Sequence, residues 1–255
     1  MQGDFHWLAF ISMLSGKSIA AGYVFGHHVK AVKSGPLLRW RCPMIYEMRT
    51  YDLKPRSLGE VEKRIGEAYE NRKKYSPLAA FWHTEFGPLN QIVHIWPYKD
   101  LAERARIRAE SSKDGKWPAK IGEFVVRMKS EIMIPFPNSP ELKPGKMGPL
   151  FEMRIYTHPV GELPNIMRCW EKALPVRTAF GPVCALWYSE FGGLNTFVHI
   201  WPYASMAQRD EIREKAHATG NWPPATYDVK HGGKGYDLIA QENKLLLPAA
   251  FSPLQ

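Results

Sequence analysis

Apolar and polar positions alternate along residues 45–53, the signature of a strand with one face covered. Residues 57–74 then place Leu58, Val61, Ile65, Ala68 and Tyr69 at helical spacing, with Ser57 as the expected N-cap. Leu78–Phe86 and Asn90–Tyr98 read as two strands turned at Gly87-Pro88-Leu89. A second helix is expected over 99–112, with Asp100 at its start; Gly115–Pro118 break it, and 123–134 reads as a last strand. The same order returns with strands at 150–158, 183–191, 195–203 and 236–247 and a first helix at 162–180. Pro175 is expected to kink or shorten that helix, and 221–235 reads as a glycine-rich loop.

The return is a repeat in residues as well as in pattern. EFGPLNQIVHIWPY (85–98) becomes EFGGLNTFVHIWPY (190–203), YEMRTY (46–51) becomes FEMRIY (151–156), and GKWP (115–118) becomes GNWP (220–223), each 105 positions later. Duplication is the explanation. The Pro- and Gly-rich stretch 135–149 reads as an extended linker. The chain therefore divides into a leader at 1–43, a first repeat at 44–134, the linker, and a second repeat at 150–255. A βαββαβ order is the ferredoxin-like arrangement, with two helices on one face of a four-stranded antiparallel sheet. Large apolar residues sit on both faces of the strands, so the second face also needs a cover. The predicted fold is α+β: tandem ferredoxin-like repeats packed sheet to sheet within one chain, a pseudo-dimer.

Charge modifies this picture modestly. The net charge is +9, and residues 1–43 supply Lys17, Lys30, Lys33, Arg39 and Arg41 against Asp4 alone. A basic body attracts anionic ligands and, weakly, membrane surfaces. With no basic stripe or recognition motif, no nucleic-acid partner is expected. Cys42, Cys169 and Cys184 form no metal or disulfide pattern, which fits a reducing compartment. In the leader, the apolar runs 5–14 and 19–26 are interrupted and too short to span a membrane. The leader reads as a targeting peptide, a signal anchor, or sequence upstream of a natural start at Met44; the last is favoured. The expected location is cytoplasmic, or mitochondrial if 1–43 is a targeting segment.

Candidate chemistry lies on two strands of each repeat. Glu47, Arg49 and Tyr51 share one strand face, as do Glu152, Arg154 and Tyr156. Lining a barrel interior, such a pair could bind a carboxylate or a carbonyl oxygen; exposed, it is a structural ion pair. Asn90, Ile92, His94, Trp96 and Tyr98 share a face, matched by Asn195, Phe197, His199, Trp201 and Tyr203. An aromatic wall with one imidazole suits a small molecule, and the histidine could accept a proton, although such a histidine is more often a hydrogen-bonded core residue. Trp82 and Trp187 read as core, Glu85 and Glu190 as hairpin flanks, and Arg104, Arg108, Arg209 and Arg213 as helix-face arginines able to hold an anion. There is no phosphate loop, dinucleotide fingerprint, nucleophile elbow or HExxH-like spacing, so no cofactor and no metal are expected.

The segments YEMRTYDLKP, AAFWHTEFGPLNQIVHIWPY and ENKLLLPAAFSPLQ resemble the NIPSNAP family, in its form with two domains per chain, over about 44–255. The resemblance implies a dimeric α/β barrel related to small oxygenases of the antibiotic-biosynthesis type. It implies no reaction and supplies no catalytic residues. Animal members are associated with mitochondria and with vesicle- or mitophagy-related interactions. The expected function is a module that binds a small ligand or a protein partner, with self-association through outer helices left open. The alternative is a cofactor-independent enzyme doing acid–base or oxygenase-like chemistry on a small aromatic or carbonyl compound. A sealed aromatic core favours the module; an open cavity lined by Glu47, Arg49 and His94 favours the enzyme.

Overall fold

The computed structural model describes residues 44–255; the expectations for 1–43 lie outside the described residues. The first half runs β1 (Ile45–Leu53), α1 (Leu58–Arg72), β2 (Ala80–Phe86), β3 (Gln91–Tyr98), α2 (Leu101–Ser111) and β4 (Val125–Pro135). The second runs β5 (Leu150–Thr157), α3 (Leu163–Thr178), β6 (Ala185–Phe191), β7 (Thr196–Tyr203), α4 (Met206–Ala218), α5 (Pro224–Lys230) and β8 (Ala240–Pro248). The eight strands close into one antiparallel barrel in the order β1-β3-β2-β8-β5-β7-β6-β4. Each half supplies a four-stranded sheet, and the last strand of each crosses to the other: β4 pairs with β6 and β8 with β2. Closure leaves neither sheet with an open edge.

The β2–β3 and β6–β7 hairpins turn on residues that tolerate left-handed backbone. Gly87 (φ 105°) and Asn90 (φ 57°) are matched by Gly192 (φ 116°) and Asn195 (φ 54°). Asp100 and Ser205 cap α2 and α4, accepting from Glu103 N (2.8 Å) and Gln208 N (3.1 Å). Ser57 stands at the start of α1 as expected but caps nothing; its hydroxyl donates to Lys54 O at 2.7 Å instead.

In the second half the expected shortening of the first helix and the expected all-loop stretch are both corrected. Pro175 does not shorten α3, which has 16 residues against 15 in α1. The proline lies in the final turn, where only one hydrogen bond is lost and its carbonyl still accepts from Ala179 N at 3.2 Å. Residues 221–235 are not all loop, because α5 forms there with Pro224 in its first turn. The register dates the insertion. Met133 pairs with Tyr46 and Leu246 with Phe151, an offset of 113 (246 minus 133) where other elements keep 105. The second half thus gains eight residues before its last strand, and α5 lies among them.

The faces of the sheets divide by parity. Tyr46, Met48, Trp82, Val93 and Ile95 meet Phe151, Met153, Trp187, Val198 and Ile200 inside the barrel. Tyr46 stacks on Trp187 at 4.6 Å, and Trp82 lies 5.2 Å from Phe151. Both tryptophans are fully buried. The odd positions of β1 face the helices, so Tyr51 packs with Val61, Ile65, Ile92 and Trp96 in a separate cluster. The Glu-Arg-Tyr face therefore does not line the barrel interior; it lies beneath the helices. The segments after β4 and β8 each cross to the opposite half. Ser139 Oγ accepts from Leu186 N (3.0 Å), and Ser252 Oγ accepts from Phe81 N (2.9 Å).

Candidate functional site

Beneath its helices each half encloses a small cavity. The first, about 190 Å³, is lined by Arg49, Tyr51, Arg72, His94, Trp96, Tyr98, Arg108 and Trp117 among others. The second, about 240 Å³, is lined by Arg154, Tyr156, Trp170, Arg177, His199, Trp201, Tyr203, Arg213, Trp222 and Tyr236 with their neighbours. A larger, shallow groove of about 660 Å³ beside α1 is lined by solvent-facing residues such as Arg64, Glu67 and Lys74 and carries none of this chemistry.

Behind each wall sits a fully buried glutamate. Glu47 Oε1 accepts from Arg49 Nη1, Arg104 Nη2 and Ser130 Oγ, all at 2.7 Å, and Arg108 lies at 3.7 Å. Ser130 reaches it because it pairs with Arg49 across β1 and β4. Asn243 takes the same place in the second half, opposite Arg154. There Glu152 Oε1 accepts from Arg154 (3.0 Å), Arg209 (2.7 Å) and Asn243 (3.0 Å), with Arg213 at 3.9 Å from Oε2. Burial by itself would raise the Glu47 carboxyl, but the hydrogen bonds from Arg104 and Ser130 and the charges of Arg49 and Arg108 outweigh it and bring it to about 2. Glu152 is lowered by the same balance. Each carboxylate is thus ionised, its Oε1 held by two arginines and a neutral donor; Tyr203 OH donates to Glu152 Oε2 at 3.3 Å, whereas Glu47 Oε2 is buried without a hydrogen-bond partner. One negative charge faces three guanidinium groups, so positive charge is left over toward the cavity.

The histidines are fixed by a neighbour two positions on. Trp96 Nε1 donates to His94 Nδ1 at 2.6 Å, and Trp201 Nε1 donates to His199 Nδ1 at 2.6 Å. An indole N–H is only a donor, so Nδ1 is the acceptor and the ring proton sits on Nε2. Both Nε2 atoms are buried and have no hydrogen-bond partner. Burial, then the Arg49 charge, push His94 down to about 3; His199 falls well below its ordinary value for the same reason, with Arg154 the charge that contributes most. Each ring is neutral near pH 7, and its one lone pair is occupied. It offers an N–H and not a base. Tyr51 and Tyr156 accept from Arg49 Nε and Arg154 Nε at 2.6 Å, which leaves each hydroxyl hydrogen free to be donated.

Of the residues singled out in the sequence, Arg49, Tyr51, His94 and Trp96 converge on the first cavity and Arg154, Tyr156, His199 and Trp201 on the second. Glu47 and Glu152 do not line either cavity but anchor its arginines. Among the residues that were missed are two matched pairs, besides Ser130, Asn243, Trp170 and Tyr236. Arg72 is buried, with its guanidinium 4.4 Å over Trp96, and Arg177 is buried, 4.3 Å over Trp201. Trp117 and Trp222 close the cavities from the loops after α2 and α4. All four recur at the 105-residue spacing, which is the signal that could have found them. Among the described residues no cluster of metal-ligating side chains occurs, and no helix is long and apolar enough to cross a membrane.

The closed barrel of two βαββαβ halves, with a cavity under the helices of each, defines a dimeric-α/β-barrel protein whose two subunits are fused in one chain. A putative monooxygenase from Lactobacillus acidophilus NCFM has this fold at a TM-score of 0.56, covering 82% of this chain and 95% of its own at 9% identity. The NIPSNAP family profile matches residues 46–140 and 151–253, and the chain belongs to the NIPSNAP family. Human protein NipSnap homolog 3B is 30% identical over 217 residues, 82% of this chain and 85% of that protein. An uncharacterized NIPSNAP-like domain protein from Burkholderia xenovorans is 35% identical; it covers 40% of this chain and 94% of its own, with a TM-score of 0.37.

Proposed function

We propose that the helix-side cavities bind a small molecule bearing a carboxylate or carbonyl oxygen on an apolar, planar body. One observation carries this reading: the charged groups in each wall are guanidinium groups, joined by a tyrosine hydroxyl and backed by aromatic rings. Arg49, Arg108 and the Tyr51 hydroxyl serve the first cavity, and Arg154, Arg213 and the Tyr156 hydroxyl the second. Arginine forks match an oxyanion geometrically, and water exclusion strengthens the pairing. Volumes of about 190 and 240 Å³ fall below the roughly 300–1,000 Å³ typical of drug-sized ligands, which favours a single-ring compound. The acid–base enzyme reading is less well supported, because His94 and His199 have no free lone pair and the glutamates are locked to arginines behind the wall; of the lining histidines only His217, on the exposed side of the second cavity, keeps one.

The test is calorimetric titration of the full chain with sodium phenylacetate and sodium benzoate, comparing wild type with Arg49→Met plus Arg154→Met. Glu47 and Glu152 keep Arg104 and Arg209 in that variant, so the fold is expected to survive. Loss of a charge-assisted contact should weaken binding about tenfold or more. Binding unchanged in the double variant would refute the site.

A further inference from the structure

The two cavities match in most of their walls and differ at one buried cation. In the first half, Arg72 Nη1 is satisfied from within the protein: it donates to Ser76 Oγ at 2.8 Å and to Ser76 O at 3.2 Å, while Nη2 donates to Tyr98 OH at 3.2 Å. In the second half, Arg177 keeps the tyrosine, donating from Nη2 to Tyr203 OH at 3.0 Å. The residue 105 positions after Ser76 is Gly181. It brings no hydroxyl, and Arg177 Nη1 is buried with no partner. A Cβ placed on Gly181 would stand 3.8 Å from that nitrogen, so the missing serine is what would have quenched it. A buried charged donor left open costs more than an unpaired neutral one, which makes the vacancy expensive unless something fills it.

The walls diverge in the same direction. Trp170 lies 4.7 Å from His199, where the first half has Ile65 at the matching position. Tyr236, brought in by the inserted segment that also contains α5, accepts from Trp170 Nε1 at 3.1 Å and joins the lining.

We infer that the halves have divided their labour: the second cavity is the ligand site, taking a single-ring aromatic carboxylate whose anionic group completes Arg177, while the first holds its arginine internally quenched. This rests on the reading of the cavities as ligand sites. Arg177 is itself a lining residue of the second cavity, and its open Nη1 lies beside Gly181.

The experiment titrates the full chain with sodium phenylacetate and compares wild type, Gly181→Ser and Gly181→Ala. Both substitutions add the same Cβ, 3.2 Å from the Ile212 Cδ1 methyl, and only serine adds an acceptor. Wild type is expected to bind one equivalent per chain, Gly181→Ala to bind comparably, and Gly181→Ser to bind about tenfold more weakly or worse. Arg177→Gln, which removes the cation without touching residue 181, should lose binding to the same degree. A wild type that takes up neither phenylacetate nor benzoate removes the ligand reading and this inference together. A wild type that binds, with Gly181→Ser or Arg177→Gln equally tight, or with two equal sites per chain, overturns the inference alone.

Discussion

The two faces of each sheet are one residue apart in sequence and opposite in character. Tyr46 and Met48 point into the barrel among apolar and aromatic side chains, with the buried Glu131 in register with Met48 and the buried Lys244 in register with Met153, whereas Glu47, Arg49 and Tyr51 point under the helices into a knot of arginines around one carboxylate. The inner face is shared by both halves. Tyr46 lies on Trp187 and Trp82 beside Phe151, so a change in one copy is felt by the other. Each helix-side cavity belongs to one half alone and can change without its twin. Most matched positions are kept on both sides: Trp82 and Trp187, Val93 and Val198, and Ile95 and Ile200 in the core, and Arg49 and Arg154, His94 and His199, and Trp96 and Trp201 in the cavity walls. The changes include Tyr46 to Phe151 and Ala79 to Cys184 in the core and, on the helix side, Ile65 to Trp170 and Ser76 to Gly181, the last beside the buried arginine of each half. The core joins the two copies; the helix side is where the partner of the buried arginine differs.

The largest expected effect is at the shared face. Trp82→Ala or Trp187→Ala should cost about 3–5 kcal/mol in denaturant unfolding, with both halves unfolding together. A loss near 1 kcal/mol, or separate transitions for the two halves, would break the picture of one core.

Next come the buried carboxylates. Glu47→Ala leaves Arg49 and Arg104 facing each other without their counter-charge, and should cost roughly 2–4 kcal/mol, less than a fully buried pair because the arginines keep some solvent. Glu152→Ala should cost at least as much, since Asn243 stands in for Ser130 and the Tyr203 hydroxyl also donates to Glu152 Oε2, where Glu47 Oε2 has no partner.

The pH dependence is smaller and has a fixed sign. His94 and His199 titrate well below their ordinary 6.5 in the folded chain, so the unfolded chain binds more protons below that value. Their contribution to stability is therefore complete above pH 6.5 and falls on acidification, by about 1.4 kcal/mol per pH unit for each imidazole, down toward pH 3 for His94, while His83, raised by its hydrogen bond to Glu62, works in the opposite sense. Glu47, lowered to about 2 from 4.5, adds to the loss below pH 4.5. His94→Gln with His199→Gln should flatten urea-midpoint curves between pH 6.5 and 5. An unchanged slope would mean that the imidazoles are not held neutral.

Much of this architecture was legible in the chain. The 105-residue repeat and the alternation of strands such as YEMRTY carried the two halves, and the apolar second face of each sheet called for their packing on one another. Which face met which layer was less legible. Alternation separates Glu47 from Met48 but does not say which turns inward; that is decided by strand closure, where β4 and β8 cross between halves. Arg72 and Arg177 escaped notice because a lone arginine on a helix reads as solvated, and only the fold lays it over Trp96 or Trp201. The α5 helix was hidden because its seven residues lie between Pro223 and a glycine-rich stretch. The quenching of Arg72 by Ser76 depends on the chain turning back at the end of α1, which spacing alone does not encode.

The most direct test of the central claim, that ligands enter beneath the helices and not between the sheets, is a crystal structure of the chain grown with phenylacetate. The carboxylate is expected beside Arg154 and Arg177, the ring against Trp170 and Trp201, and the Tyr46–Trp187 stack unchanged. Phenylacetate lodged between the sheets, among Trp82, Phe151 and Trp187, would contradict it.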